Sequence, residues 1–160
     1  MAGSPKPKAF IRKNLDHETH FAGRFGATYF VTICCYEKRQ NQLCGKRIAQ
    51  QIFKTATMYD LRGVWCLDLM LLMPDHLHAL IAIDGEASLS KIISDFKRAT
   101  AKFGGIRWQR NFFDHRLRHD ESLEEKAAYI MNNPVRAGLA QNSEDWPYVL
   151  DRTDLDVAAR

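Results

Sequence analysis

The chain has 160 residues, 46% of them hydrophobic and 26% charged, which is the composition of an ordinary globular domain. A net charge of +4 and a pI near 8.9 mildly favour an anionic partner. No apolar run is long enough to span a membrane, and the N-terminus lacks the apolar core of a signal peptide, so we expect a cytoplasmic protein. The cysteines show no paired zinc spacing and predict reduced thiols: Cys34, Cys35, Cys44 and Cys66.

A basic segment, residues 1–25, precedes the first predicted element. Its cations can reach phosphates, although a solvated tail is the favoured interpretation: Lys6, Lys8, Arg12, Lys13 and Arg24. From Ala27 to Cys35 the density of β-branched and aromatic residues predicts a strand. After a polar connection, apolar residues at helical spacing predict a helix that begins at Lys46 and stops near Gly63.

The next stretch, residues 63–83, reads as two apolar strands joined by a very short turn at Met73-Pro74-Asp75. Successive side chains of a strand point to opposite faces, so His76 and His78 are predicted to project together. Two buried imidazoles on one face need partners. A divalent metal and backbone carbonyl groups are equally good candidates on spacing alone.

A second helix is predicted from Ser88 to Gly104-Gly105, with an apolar side and a basic side. The aromatic-rich residues 106–117 can supply a fourth strand. The element order is then strand, helix, strand, strand, helix, strand. This order predicts an α+β fold with a ferredoxin-like split βαβ antiparallel sheet and helices on one face.

Residues 97–118 combine many cations with interleaved aromatic rings and a single acid, Asp114. Cations bind phosphates and aromatic rings accept stacked bases, so this composition favours a single-stranded nucleic-acid surface over a solvated helix face and an edge strand. The predicted DNA-binding residues are Lys97, Arg98, Lys102, Arg107, Trp108, Arg110, Arg116 and Arg118, and Phe112 and Phe113 are further candidates for base stacking.

The last predicted helix opens at Ser122 with the spacing of a capping box, and Pro134 is expected to end it. At about 100° per residue, Tyr129 falls outside the apolar stripe of this helix and on the same side as Asn133. A structural tyrosine would lie within the stripe. A histidine pair, a basic aromatic segment and an off-stripe tyrosine beside an amide together suggest phosphodiester chemistry.

Three motifs in this order resemble the signatures of the REP-associated tyrosine transposases, which are single-tyrosine HUH endonucleases. They are MPDHLHALI at residues 73–81, WQRNFFDHRLR at 108–118 and YIMNNPVRAGL at 129–139. The residues from Gly26 to Thr32 also resemble the first strand of that family, and the likeness extends to about Tyr148. Asp75 departs from the family, since many members have asparagine there.

The resemblance implies roles for particular residues. His76 and His78 would be the metal ligands, Asn133 would match the third ligand, and Tyr129 would be the nucleophile. An amide oxygen suits a site for Mg²⁺ or Mn²⁺. The expected activity is metal-dependent nicking and strand transfer on single-stranded or hairpin DNA through a 5′-phosphotyrosine intermediate. The expected location is the bacterial cytoplasm, with nucleoid association when DNA is bound.

The resemblance also implies three parts of the chain: a basic N-terminal segment (1–25), a transposase domain (26–150) with the tyrosine on a C-terminal helix, and a tail (151–160). Both a monomer and a homodimer fit the sequence. Two alternatives stay open at this point. One is a domesticated protein that binds hairpin DNA without transposing. The other is a ferredoxin-like RNA-binding module, which the absence of its aromatic signature strand disfavours.

Overall fold

The computed structural model describes residues 25–118 and 120–160, so the basic cations predicted at positions 6 to 24 lie outside the described residues. The strands are β1 (Phe25–Cys34), β2 (Cys66–Met73), β3 (His76–Asp84), β4 (Phe113–Arg116) and β5 (Val149–Asp151). The helices are α1 (Lys46–Leu61), α2 (Leu89–Gly104), α3 (Leu123–Met131), the single turn α4 (Asn133–Arg136) and α5 (Arg152–Ala158). No helix in these ranges is both long and apolar enough to cross a bilayer.

The strands form one antiparallel sheet in the order β4-β1-β3-β2-β5. β2 and β3 make the predicted hairpin, in which Met73 pairs with His76 and Pro74-Asp75 forms the turn. β1 lies on the other side of β3, with Thr32 opposite His78. The predicted α+β class and antiparallel sheet are confirmed, and β3, which carries both histidines, lies at the centre of the sheet.

Helices cover both faces of the sheet. The larger core lies between one face and the pair α1 and α2, where Ile52 and Phe96 are fully buried. On the other face, Ala127 and Ile130 of α3 pack with Leu69, Leu71 and Leu80. The expectation of helices on one face therefore holds for α1 and α2, whereas the tyrosine-bearing helix takes the opposite face. The physical reason is that β2 is apolar on both of its sides, so each side needs a cover.

The C-terminal residues contribute a strand and a helix that the sequence pattern did not reveal. β5 pairs with β2, and the Trp146 indole Nε1 donates to the Leu72 carbonyl at 2.8 Å. In α5, Leu155 is part of the larger core. A three-residue strand carries too little periodicity to be recognised. Residues 151–160, which were expected to form a tail, thus pack on the domain. The proposed domain boundaries stay a prediction.

The turn after α3 carries several site residues. α3 is capped as expected, since the Ser122 hydroxyl accepts from the backbone N–H of Glu125 at 3.2 Å. It ends at Met131, before Pro134 as predicted. The chain then continues as α4, because proline is tolerated in the first turn of a helix. Asn132, which joins the two helices, keeps right-handed helical backbone angles, with φ −83° and ψ −6°.

Candidate active site

The two histidines lie on the sheet face that α3 covers. Their ring centroids are 4.8 Å apart, and His78 is only 8% exposed. Leu77 and Ala79 point into the core on the reverse face, as the alternation along β3 predicts. The shared face of His76 and His78 is therefore confirmed, while their role as metal ligands stays a prediction.

His78 is held by two neighbours on β1. Its Nδ1 lies 2.8 Å from the Thr32 hydroxyl, and its ring stacks on Phe30 with centroids 5.5 Å apart. Burial of the ring is the main cause that lowers the pKa of His78 to about 3, and nearby positive charge at His76 and Arg136 contributes to the same shift. The imidazole is thus neutral at physiological pH, and the Thr32 contact leaves Nε2 as the nitrogen available to a ligand.

His76 is held by the acid that precedes it. Its Nδ1 lies 2.7 Å from Oδ1 of Asp75, whose other oxygen accepts from the Arg39 backbone N–H at 2.8 Å. Although partial burial raises it, the pKa of Asp75 is lowered overall by these hydrogen bonds and by nearby positive charge. The ionised carboxylate accepts a hydrogen bond from Nδ1–H of His76. Nε2 is then unprotonated, and its lone pair is available to a ligand. Both histidines have side-chain partners here, in place of the backbone carbonyls that ordinary core histidines use.

Tyr129 lies on the same face of the sheet. Its side chain is 50% exposed, as its position outside the apolar stripe predicts, whereas Ala127 and Ile130 are buried. The Tyr129 ring meets Phe30 edge to face, with centroids 6.3 Å apart. Because Phe30 also stacks on His78, one aromatic ring joins the tyrosine to the histidine pair within a single chain.

Asn133 lies on α4, beyond the end of the tyrosine helix. Its Oδ1 accepts from the Arg136 guanidinium at 2.7 Å, and its Nδ2 is buried without a hydrogen-bond partner. Among the described residues, no group of three or more His, Cys, Asp or Glu side chains is arranged to hold a metal. A metal bound by the two histidines therefore needs oxygen ligands from another source, and the assignment of Asn133 as one of them stays a prediction.

The predicted nucleic-acid segment is divided by the fold. Lys97 is turned inward, where its Nζ donates to the carbonyls of Gln109 at 3.0 Å and Arg110 at 2.7 Å. Trp108 is half-buried against the larger core, and its indole Nε1 donates to Thr100 at 2.9 Å. These two side chains therefore hold the residues that lead into β4 against α2.

Two of the arginines are engaged in ion pairs. Arg98 pairs with Asp95 at 3.3 Å, and Arg107 pairs with Glu37 at 3.0 Å. Arg98 and the exposed Lys102 belong to α2, on the helix layer that covers the sheet face opposite the histidines. The single nucleic-acid surface expected from residues 97–118 is thus divided into two surfaces on different sides of the molecule.

The remaining cations of the segment lie on the edge strand β4 or in the residues that flank it. Arg110, Arg116 and Arg118 are exposed, and the latter two line an open cleft of about 340 Å³ together with Glu121. Of the aromatic candidates for base stacking, Phe112 packs against the core, whereas Phe113 is 57% exposed. Contact with DNA stays a prediction for every residue of the segment.

Three further residues of the site had no role in the sequence-based prediction: Phe30, Thr32 and Arg136. Phe30 and Thr32 alternate along β1, so a shared face was visible, but nothing local shows that this face meets the histidines. Arg136 stands within the third motif, and its guanidinium lies 4.0 Å from the centroid of the Tyr129 ring. The Arg136 side chain reaches Tyr129 across the junction between α3 and α4.

Comparison with known proteins identifies the family of the chain. Two proteins assigned to the REP-associated tyrosine transposases are similar to the chain. One, from Haemophilus influenzae, is 28% identical over 77% of this chain and 78% of its own length. The other, from Escherichia coli K12, is 24% identical over 77% and 75%.

A solved structure of a REP-associated tyrosine transposase bound to a REP hairpin shares the fold. Its TM-score is 0.68 at 21% identity, and the match covers 89% of this chain and 87% of that chain. The family model of the IS200-like transposases matches residues 25–133, from the start of β1 through the tyrosine helix to Asn133. The chain therefore belongs to the IS200-like transposase family.

Proposed function

We propose that this transposase nicks and rejoins single-stranded or hairpin DNA through a covalent bond to Tyr129, with a divalent metal at His76 and His78. One observation carries the proposal: Tyr129 and His78 contact the same ring, Phe30, in one chain. The relatives named as REP-associated tyrosine transposases, and the fold shared with one bound to a REP hairpin, support the choice of substrate.

The covalent step exchanges one phosphodiester for another. The Tyr129 phenol oxygen bonds to phosphorus while the bond from phosphorus to the 3′ oxygen breaks. The leaving oxygen keeps the bonding electrons and gains a proton, and the phenol loses one. The products are a 5′-phosphotyrosine and a free 3′-hydroxyl, so a later attack by a 3′-hydroxyl rejoins strands without an external energy source.

The residues present fit a metal that accepts mixed ligands. Two neutral imidazole nitrogens with an amide oxygen suit Mn²⁺ better than Mg²⁺, which prefers oxygen ligands alone. When bound, such an ion polarises the phosphoryl oxygens and neutralises part of their charge. Thr32 and Asp75 hold the two rings with Nε2 free, and Asn133 is the protein residue best placed by its motif position to complete the set.

We assign DNA binding to the exposed cations near the sheet edge, Arg110, Arg116 and Arg118. Phe113 is the accessible residue for base stacking. Such a surface favours unpaired bases over a perfect duplex. Because α3 packs on the sheet of its own chain, a monomer carries both the tyrosine and the histidines, and cleavage requires no second copy.

An end-labelled hairpin library with single-stranded flanks tests the function. With Mn²⁺, the wild type should give a denaturant-resistant protein–DNA adduct, whereas Tyr129→Phe and chelator-treated wild type should give none. Tyr36→Phe is the matched control, because Tyr36 is also exposed, at 63%, but lies past the end of β1 with its ring beside Arg107. An adduct in Tyr129→Phe would move the nucleophile elsewhere, and hairpin binding without any adduct would favour a domesticated binding protein.

A further inference from the structure

Arg136 lies against the side chain of the proposed nucleophile. Its guanidinium lies 4.0 Å from the Tyr129 ring centroid, and Nη2 donates to the Asn133 amide oxygen at 2.7 Å. The same nitrogen makes a longer contact of 3.5 Å with the Tyr129 carbonyl. One cation therefore contacts both the proposed nucleophile and the amide.

This cation is not neutralised by an acid. The ion pairs that arginines make between described residues join Arg98 to Asp95, Arg107 to Glu37 and Arg152 to Asp60, and none of them includes Arg136. The side chain is exposed. A guanidinium has five N–H donors, and the contacts of Arg136 described above involve Nη2 alone. Nε and Nη1 are accordingly available to an anionic ligand.

The position of Tyr129 determines which anion Arg136 can bind. A phosphodiester attacked by the Tyr129 oxygen must lie against that side chain, and the guanidinium already rests on the ring. Negative charge grows on the phosphoryl oxygens during the attack, and the planar guanidinium matches two such oxygens at once. A donor already in place for that charge lowers the barrier.

We propose that Arg136 binds the phosphate that Tyr129 attacks. Its contacts with the Tyr129 ring and with Asn133 also hold these two side chains in position relative to that phosphate. This inference rests on the proposed function and adds the residue that selects the reacting phosphate. Arg136 would act as a catalytic residue, since it touches the reacting group, and as the contact between α3 and α4 that orients the nucleophile.

The rate of adduct formation tests the catalytic part. With saturating labelled hairpin, Arg136→Gln should slow single-turnover adduct formation about 100-fold, the size expected for losing one preorganised donor. Arg136→Lys should give an intermediate loss, because it keeps the charge without the planar fork. Arg47→Gln, an exposed change on α1 at the opposite face, should match the wild type. A wild-type rate in Arg136→Gln would overturn the proposal.

A binding experiment decides the phosphate contact without cleavage. In a Tyr129→Phe background, the tightest hairpin of the library is prepared with one neutral methylphosphonate at each position of its single-stranded flank in turn. One position should weaken binding with Arg136 present and have no effect after Arg136→Gln. If every position acts alike in both proteins, or no hairpin binds, the contact does not exist. If the wild type binds the hairpin but forms no adduct, the proposed strand transfer is refuted. The methylphosphonate result then still decides whether Arg136 contacts the phosphate.

Discussion

Oδ1 of Asp75 lies 2.7 Å from Nδ1 of His76, and Oδ2 of the same carboxylate accepts from the Arg39 backbone N–H. Arg39 has a φ of 61°, in the left-handed region that favours glycine. The carboxylate thus joins a strained loop after β1 to the first histidine of β3. Both of its partners are donors when His76 carries its proton on Nδ1, so each oxygen must accept.

Asp75→Asn should therefore weaken metal binding. An asparagine amide has one accepting oxygen and one donating nitrogen, so it cannot accept from both partners and no longer keeps the His76 proton on Nδ1. Loss of such a supporting partner costs about 10- to 100-fold in metal affinity. Titration of the DNA-free protein with Mn²⁺, followed by electron paramagnetic resonance, measures the change.

The matched control for that change is Asp95→Asn. Asp95 is also hydrogen-bonded, to Lys91 at 2.7 Å, but it lies on the surface of α2 away from the histidines. Its replacement should leave Mn²⁺ affinity unaltered. Equal affinities for wild type and Asp75→Asn would show that the carboxylate does not support His76.

Phe113→Ala should weaken binding of single-stranded DNA by about 1–3 kcal/mol and leave duplex binding nearly unchanged, because only unpaired bases can stack on the ring. Phe113 contacts Phe30, with centroids 6.2 Å apart, which places it beside the tyrosine. Phe103→Ala is a close control, since Phe103 is 58% exposed but belongs to α2. Competition binding at one fixed salt concentration compares the variants. Equal losses in Phe103→Ala and Phe113→Ala would refute a specific stacking site.

The low pKa of His78 makes the stability of the fold depend on pH. Burial depresses the pKa from 6.5 unfolded to about 3 folded, so between these values the unfolded chain binds the proton and the folded chain does not. The free energy of unfolding should then fall as the pH is lowered through that window. From about pH 7 to about pH 5, His78 should account for about 2 kcal/mol of this fall.

Urea unfolding of the metal-free protein at both pH values measures this effect, with His78→Gln as the variant that lacks the titrating ring. The difference in free energy of unfolding between wild type and variant should shrink at the lower pH by that amount. A difference that stays constant between the two pH values would show that His78 titrates normally in the folded protein.

Arg152→Ala should lower the free energy of unfolding by about 1–3 kcal/mol, because it leaves partly buried acceptors without donors. The Arg152 guanidinium donates to Asp60 on α1, at 2.7 and 3.0 Å, and to the Leu67 carbonyl on β2. Arg160→Ala, at the exposed end of the chain, should have no measurable effect. Thermal and urea unfolding decide the matter, and equal stability of the two variants would mean that α5 does not anchor the domain.

The sequence by itself determined the features that depend on local backbone geometry. The alternation along β3 was enough to place His76 and His78 on one face, and the helical period was enough to place Tyr129 outside the stripe formed by Ala127 and Ile130. Each of these relations holds within one element. The period of a strand or helix is set by its backbone, whatever the element packs against.

Only the tertiary structure decided which elements meet. α3 covers the histidine face because β2 is apolar on both sides, and this non-local requirement brings Tyr129 to Phe30. The same packing moves Lys97 and Arg98 away from the tyrosine, although they precede Arg116 and Arg118 in one basic segment of the sequence. The contact between Arg136 and the Tyr129 ring depends on how α4 follows α3 beyond Asn132. Burial of apolar surface selects the face on which an element packs, and that choice depends on residues far away in the chain.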